Sequence, residues 1–477
     1  MRARGGFLSG VCWAAGLVSC GAFASTGVVP APVAHMLAAE RLAPRTASFA
    51  VLDVDSGRVV ASLNAATPRS PASTMKLVTT FASLDLLGPA YTWHTDALVH
   101  GVLEDGVLKG DLVLRGGGDP YMTLERWWSF VHALRAKGLN DIRGDIVIDD
   151  TAFALPPEDP GAFDGRPNRS YNVEPDALMV NFQSIEFRLA PNAATRSVDI
   201  VATPAPVNLA IDNRIGFVAG RCSGKAARVD FEVSSAQWDR AVFSGDLSGQ
   251  CLERTITRVM LEAPSYAFGT FVELWRESGG GFNGGMRIEA APPDAQPLLS
   301  FESLTLGEVI RLTNKYSNNL MARHLFLTIG GDRYGVPATP DKGARAIADW
   351  SRERGLPLAD LVIDNGSGLS RTARISALDM ATMLRAAYHS RWAPEFIASL
   401  PLAGIDGTLR SRMQDTAAGS VRLKTGHLDG VTAVAGYVIG ASGKTYVLVS
   451  FINDTRSDYG AGDPVHGALV DWIQATL

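Results

Sequence analysis

Ser73 and Lys76 stand three residues apart at the start of an apolar run, and two further clusters, Ser317-Asn318-Asn319 and Lys424-Thr425-Gly426, follow far downstream. On a helix, residues at i and i+3 share one face, so this spacing puts a hydroxyl and an amine within hydrogen-bonding reach. A serine hydroxyl is a weak nucleophile until a base removes its proton, and a lysine is a base only when neutral. Burial and a nearby second cation both depress a lysine pKa, and Lys424 is that cation. At the N-terminus of its helix, Ser73 also sits where free N–H groups and the helix dipole favour developing negative charge. The chemistry these residues equip is acyl transfer through an activated serine.

Singly, each residue has a plainer reading. Ser73 reads as a helix cap, Lys76 as a solvated charge, Ser317 and Asn319 as a loop pair between helices, and Lys424 as a strand-edge lysine that deters aggregation. None of these explains the conjunction or its order. Of the eight lysines, only Lys76 has a serine three residues before it.

The elements that must bring the clusters together come from both ends of the chain. Apolar runs at 49–54 and 58–62 flank the turn tripeptide Asp55-Ser56-Gly57, a hairpin signal. The run from Ser73 to Leu87 reads as a buried helix stopped by Gly88-Pro89. Strand-like segments at 421–425, 431–439 and 446–452 are separated by turn residues and predict an antiparallel meander, closed by a helix over 465–473. Helices are expected at 306–316, 320–329 and 344–354. The fold class is therefore α+β, an antiparallel sheet flanked by helices, with a discontinuous catalytic domain at 25–90 and 271–477. Between them, 91–270 is expected to be an inserted β-rich region of one or two small domains, with strands near 110–114, 142–148 and 198–202. The glycine-rich stretch 279–285 reads as a loop. Gly116-Gly117-Gly118-Asp119 lacks the Gly-Lys-Ser/Thr ending of a phosphate loop and reads as turn chemistry.

At 477 residues the chain is long enough for more than one core. A net charge of -5 with 19% charged residues leaves no basic stripe for nucleic acid, which is not expected as a partner. No histidine-cysteine spacing suggests a metal, and no cofactor is expected. The first 24 residues, with Arg2 and Arg4 before an apolar stretch and Ala22-Phe23-Ala24 at the end, read as a signal peptide. Two alternatives stay open: a membrane anchor, and a lipobox at Leu17-Val18-Ser19-Cys20 whose acylated Cys20 would give peripheral membrane association. Beyond the leader only Cys222 and Cys251 remain, a pair that reads either as one disulfide of an exported protein or as two unrelated buried thiols.

The motifs match the S-x-x-K, S-D-N and K-T-G set of penicillin-binding proteins and class A β-lactamases, with Asn318 at the middle position. Together with LRGGGDP (114–120), DNGSGLSR (364–371) and KTGHLDGVTAVAGYV (424–438), they make the chain resemble the D-alanyl-D-alanine carboxypeptidase/endopeptidases among the low-molecular-mass class C penicillin-binding proteins, the peptidase S13 family. Roughly 240 residues between Ser73 and Ser317 fit that family's long insertion. The resemblance implies a β-lactamase/transpeptidase-like catalytic sheet and attack by Ser73 on a D-Ala-D-Ala carbonyl, with Lys76 as base. It implies that Ser317 and Asn319 relay protons and position substrate, and that Lys424 and Thr425 bind the terminal carboxylate. The backbone N–H groups of Ser73 and of His427, after Gly426, would form the oxyanion hole. Asp164, Arg371 and Asp429 fall where members place groups around the stem-peptide side chain. The implied partners are peptidoglycan peptides and β-lactam antibiotics as covalent inhibitors, in the periplasm of a Gram-negative bacterium. The second motif can also be read as Tyr316-Ser317-Asn318, the Tyr-x-Asn of class C β-lactamases; the following Leu320-Met321-Ala322 favours the Ser-x-Asn register. The functional alternatives are a β-lactamase or esterase on the same serine-lysine core, and an inert wall-binding homologue.

Overall fold

The computed structural model describes residues 27–477 apart from 235–236, 357, 359 and 415–418. The leader and Cys20 lie outside the described residues. Alternating apolar side chains at 47–53 and 445–453 can cover both faces of a strand, and these two segments lie side by side in one sheet. Its five strands run, in space, Val421–Leu428, Val431–Ile439, Thr445–Asn453, Ala47–Asp53 and Val59–Leu63, all antiparallel. Phe49 and Val51 face one apolar cluster, which includes Val33, Leu37, Val465 and Leu469 of the helices Ala31–Ala39 and Gly462–Thr476. Ala50 and Leu52 face the opposite cluster, built on Lys76–Leu87, Leu306–Tyr316, Asn319–Tyr334, Pro340–Glu353 and Ala377–Tyr388. The sheet is thus buried on both sides, as its uninterrupted hydrophobic strands require.

The region between these halves carries its own sheets. His94–Glu104 pairs with Val107–Gly116 and with Gln296–Glu302, and Ser184–Asn192 pairs with Ser197–Thr203 and Arg254–Val259. One buried apolar cluster runs through these sheets and the helices Leu124–Ala136 and Ala263–Glu277. The expected boundary at 270 falls inside the second helix, whose Phe271, Val272 and Trp275 belong to that cluster. The inserted region therefore continues to about residue 302, and the expectation is corrected. The single strand expected over 142–148 is two, Asp141–Ile142 and Ile146–Asp149. Between them Gly144 lies where a Cβ would come within 2.4 Å of the Gly110 carbonyl oxygen. Cys222 and Cys251 are bonded, closing a loop with a sequence separation of 29. Such a cross-link contributes about 2–4 kcal/mol, chiefly by restricting the unfolded chain.

Candidate active site

Pro71 and Ala72 bring the chain out of the hairpin into a 3-10 turn, Ala72–Met75, that runs directly into the helix Lys76–Leu87. Ala72 takes a left-handed conformation (φ 46°), costly for a residue with a side chain, and it immediately precedes Ser73. Two glycines permit the tight surroundings. A Cβ on Gly426 would meet Ser73 N at 3.0 Å and Pro71 O at 2.8 Å, and one on Gly368 (φ +76°) would meet Ala72 O at 1.9 Å. The Ser73 turn is thus pressed between a strand and a loop that only glycine allows so close.

Ser73 is half-buried, whereas Lys76 is fully buried. Lys76 Nζ lies 3.0 Å from Ser73 Oγ, 2.7 Å from Asn319 Oδ1 and 2.6 Å from the Ser367 carbonyl oxygen. Burial, and then the charge of Lys424, pushes the Lys76 amine well below its usual range. Ser317 ends the helix Leu306–Tyr316 in a left-handed conformation (φ 57°), and Asn318 caps the next helix by accepting from Met321 N at 3.0 Å. This break turns Ser317 Oγ toward Lys424, whose Nζ donates to it at 2.7 Å, while Asn319 turns to Lys76. Tyr316 is 70% exposed and points out, so Ser317 and Asn319 are the members of the second motif that meet the lysines. Lys424, fully buried in the edge strand Val421–Leu428, is pushed down to about 7 by desolvation. Thr425 Oγ1 donates to Thr408 Oγ1 at 2.8 Å. The loop bearing Thr408 is tied down by Lys315, whose Nζ donates to both Asp406 oxygens at 2.8 and 2.6 Å.

His427 is exposed, with its backbone in the strand one residue beyond Gly426. Arg371 lies over the Phe163 ring, 4.1 Å from its centroid, and donates to Asp429 Oδ2 at 3.3 Å. Phe163 packs with Ala72, Leu369, Leu428 and Val431, which places this group beside the Ser73 turn. A cavity of about 330 Å³ adjoins it, lined in part by Phe163, Asn172, Arg323, Asp364 and Arg371. Asp164 follows Phe163, yet its carboxylate is taken up by the chain: it accepts from Tyr171 OH at 2.7 Å, Asn172 Nδ2 at 2.9 Å and Arg166 N at 3.0 Å. Burial would raise this carboxyl, but the hydrogen bonds from Tyr171, Asn172 and Arg166 outweigh it and hold it low. The Gly116–Asp119 stretch is packed, not a phosphate cradle. A Cβ on Gly116 would sit 2.2 Å from the Ala177 backbone, and burial raises the Asp119 carboxyl to about 6.

Four participants escaped sequence reasoning: the Ser367 carbonyl, Gly368, Tyr171 and Thr408. The first two lie inside DNGSGLSR, a stretch the resemblance had marked without assigning its members. Tyr171 and Thr408 carried no signal.

A model of the D-Ala-D-Ala carboxypeptidase 3 (S13) family matches residues 29–476. The chain is 25% identical to the D-alanyl-D-alanine carboxypeptidase DacB of Haemophilus influenzae over 418 residues, covering 87% of this chain and 86% of that protein. It is 30% identical to a D-alanyl-D-alanine carboxypeptidase of Actinomadura sp. strain R39 over 431 residues, covering 85% and 77%. In fold, it resembles the crystal structure of penicillin binding protein 4 (DacB) from Haemophilus influenzae, with a TM-score of 0.74, 24% identity, and coverage of 89% and 93%. A structure of that protein complexed with a β-lactam gives 0.75 and 23%, covering 93% and 99%. Because the match runs from the first described helix to the last, the chain belongs to the D-Ala-D-Ala carboxypeptidase 3 (S13) family of enzymes.

Proposed function

We propose that this enzyme is a serine DD-peptidase that cleaves D-Ala-D-Ala carboxypeptide and cross-link bonds of peptidoglycan stem peptides, with Ser73 as nucleophile and Lys76 as its general base. The observation that carries this reading is the set of three contacts around Lys76 Nζ. A neutral amine has two N–H donors and one lone pair. The Ser367 carbonyl and Asn319 Oδ1 can only accept, so they take the two N–H bonds, and the lone pair is left for the Ser73 O–H. Ser73 Oγ then attacks the carbonyl carbon and its proton passes to Lys76. The backbone N–H groups of Ser73 and His427 receive the oxyanion, a contribution of about 3 kcal/mol per donor in comparable sites.

Ser317 Oγ, already bonded to Lys424, hands a proton to the departing amine and is reprotonated from Lys424. Lys424, with Thr425, supplies the positive pole for the substrate's terminal carboxylate. The proton that Lys76 took from Ser73 replaces the one Lys424 gave up, so both lysines regain their starting states. Water then attacks the acyl-enzyme, and Lys76 takes its proton and returns it to Ser73 Oγ as the ester bond breaks. Arg371 lines the cavity and is paired with Asp429, and the two suit a stem-peptide side chain ending in both an amine and a carboxylate. A β-lactam presents a reactive amide beside a carboxylate and acylates the same Ser73. The enzyme works in the periplasm, where its substrate lies; no helix among the described residues is long and apolar enough to cross a membrane.

Purified protein incubated with muropeptides should release D-alanine and split cross-linked dimers, and an acyl-enzyme mass adduct should form with benzylpenicillin. Ser73→Ala should do neither. Release of D-alanine by that variant would sink the assignment, and rapid turnover of the penicillin would move it to a β-lactamase. The pH–rate profile of acylation should rise through a limb well below the ordinary lysine value, as Lys76 loses its proton, and fall as Lys424 loses its own. A rising limb at the ordinary lysine value would remove Lys76 from the role of base.

A further inference from the structure

The orientation of the Asn319 amide decides what Lys76 meets. With Oδ1 toward Lys76, the amine donates to it at 2.7 Å; reversed, Nδ2 would face the amine and claim its lone pair. The other end of the amide settles the matter, because Asn319 Nδ2 donates to the backbone carbonyl of Tyr171 at 3.1 Å. A carbonyl can only accept, so Tyr171 admits one orientation. Tyr171 belongs to the inserted region, more than a hundred residues away in sequence, in the short 3-10 turn Ser170–Asn172.

That turn is itself held. Tyr171 OH and Asn172 Nδ2 both donate to Asp164, and Asn172 Nδ2 also reaches the Arg166 carbonyl at 3.0 Å. Asn172 is buried, whereas Asp164 and Tyr171 are half-buried, so the Asn172 closure is the more sheltered from water. The Asp164 carboxylate thus accepts three hydrogen bonds from its own loop.

We propose that residues 164–172 of the inserted region form a strap, closed by Asp164, Tyr171 and Asn172, that fixes the Asn319 amide with its oxygen toward Lys76 and so aims the Lys76 lone pair at Ser73. Asp164, Tyr171 and Asn172 are positioning residues acting through Asn319. The inference rests on the reading of Lys76 as general base. It assigns the inserted region a part in the acylation step that is separate from contact with substrate.

The test is acylation by benzylpenicillin, which carries no ammonium group, so any contact between Asp164 and a cationic side chain does not enter. Tyr171→Phe removes the hydroxyl that closes the strap while keeping the backbone carbonyl; Asn172→Ala removes the second closure. In both, the limiting acylation rate should fall about tenfold, the worth of one well-made hydrogen bond, while the constant for reversible encounter stays within twofold. The rising limb of the pH profile should also move to lower pH, since a reversed amide donates to the amine and favours its neutral form. Among the described residues, Lys76 is faced from the packed elements by Ser73 Oγ, Ser367 O, Asn319 and the charge of Lys424, so a loosened fold admitting water would move the limb the other way. A limiting rate within twofold of wild type for Tyr171→Phe, or a loss confined to the encounter constant, would overturn the strap. If wild type itself shows no limb below the ordinary lysine value, it is the general-base reading that fails.

Discussion

Replacing Lys76 by methionine should give a folded protein whose acylation by benzylpenicillin is slower by about 10³-fold or more, within the range a general base contributes. The side chains are similar in length, and the site is fully buried, so methionine fills the space without carrying a base. Stability is governed by two opposing terms. Removing an amine from a wholly buried site relieves its desolvation, but the Ser367 carbonyl and Asn319 Oδ1 lose a donor, at about 1–3 kcal/mol each. These largely offset, and the thermal midpoint should shift by only a few degrees. Rates from intact-mass acylation time courses, read beside a thermal scan, check both halves. A variant that acylates within tenfold of wild type would show that Ser73 is activated by some other group.

Gly368→Ala should cost about 100-fold or more in acylation and lower the thermal midpoint, although the residue has no side chain and touches no substrate. Its φ of +76° is unfavourable for alanine, and the new Cβ would lie 1.9 Å from Ala72 O, which forces one backbone segment to move. Both choices damage the chemistry. Ala72 leads into Ser73, and Ser367, next to Gly368, holds the Lys76 amine, the proposed base, through its carbonyl. Displacements of about 1 Å at reacting groups are worth about 10² in rate. Gly443→Ala separates strain from displacement, because Gly443 has a similar φ (+77°) in a turn with nothing within 4 Å of the added carbon. Equal acylation rates for the two alanine variants would show that the nucleophile turn tolerates the push.

Most of the catalytic core was legible because its signals are local. Asp55-Ser56-Gly57 between apolar runs is a hairpin, and the meander near the C-terminus, with its turn residues, lies within one strand residue of expectation at most ends; only Val421–Leu428 runs three residues further. The expected helix over 306–316 spans those residues, while the one expected over 344–354 starts earlier, at Pro340, where Thr339 accepts from Lys342 N. The helix Ala377–Tyr388 went unread although Ser376 caps it by accepting from Asp379 N, a signal of the same kind. The end of the inserted region was misplaced for a different reason. Whether Gln296–Glu302 joins one sheet or another depends on a partner, His94–Glu104, some two hundred residues away, and no local pattern encodes that choice. Backbone groups were the hardest to foresee. The Ser367 and Tyr171 carbonyls act through position alone, so residue identity carries no trace of them.

The sheet order has a consequence for how this enzyme comes into being. Ala47–Asp53 pairs on one side with the nearby Val59–Leu63, but on the other it needs Thr445–Asn453, and the strand carrying Lys424 joins the sheet through that same late meander. A chain still emerging carries Ser73 and Lys76 but has neither Lys424 nor the strand edge that bears it. The two lysines and the strand edge therefore come together only when synthesis is almost finished, and a growing chain offers an acylating ligand no complete site.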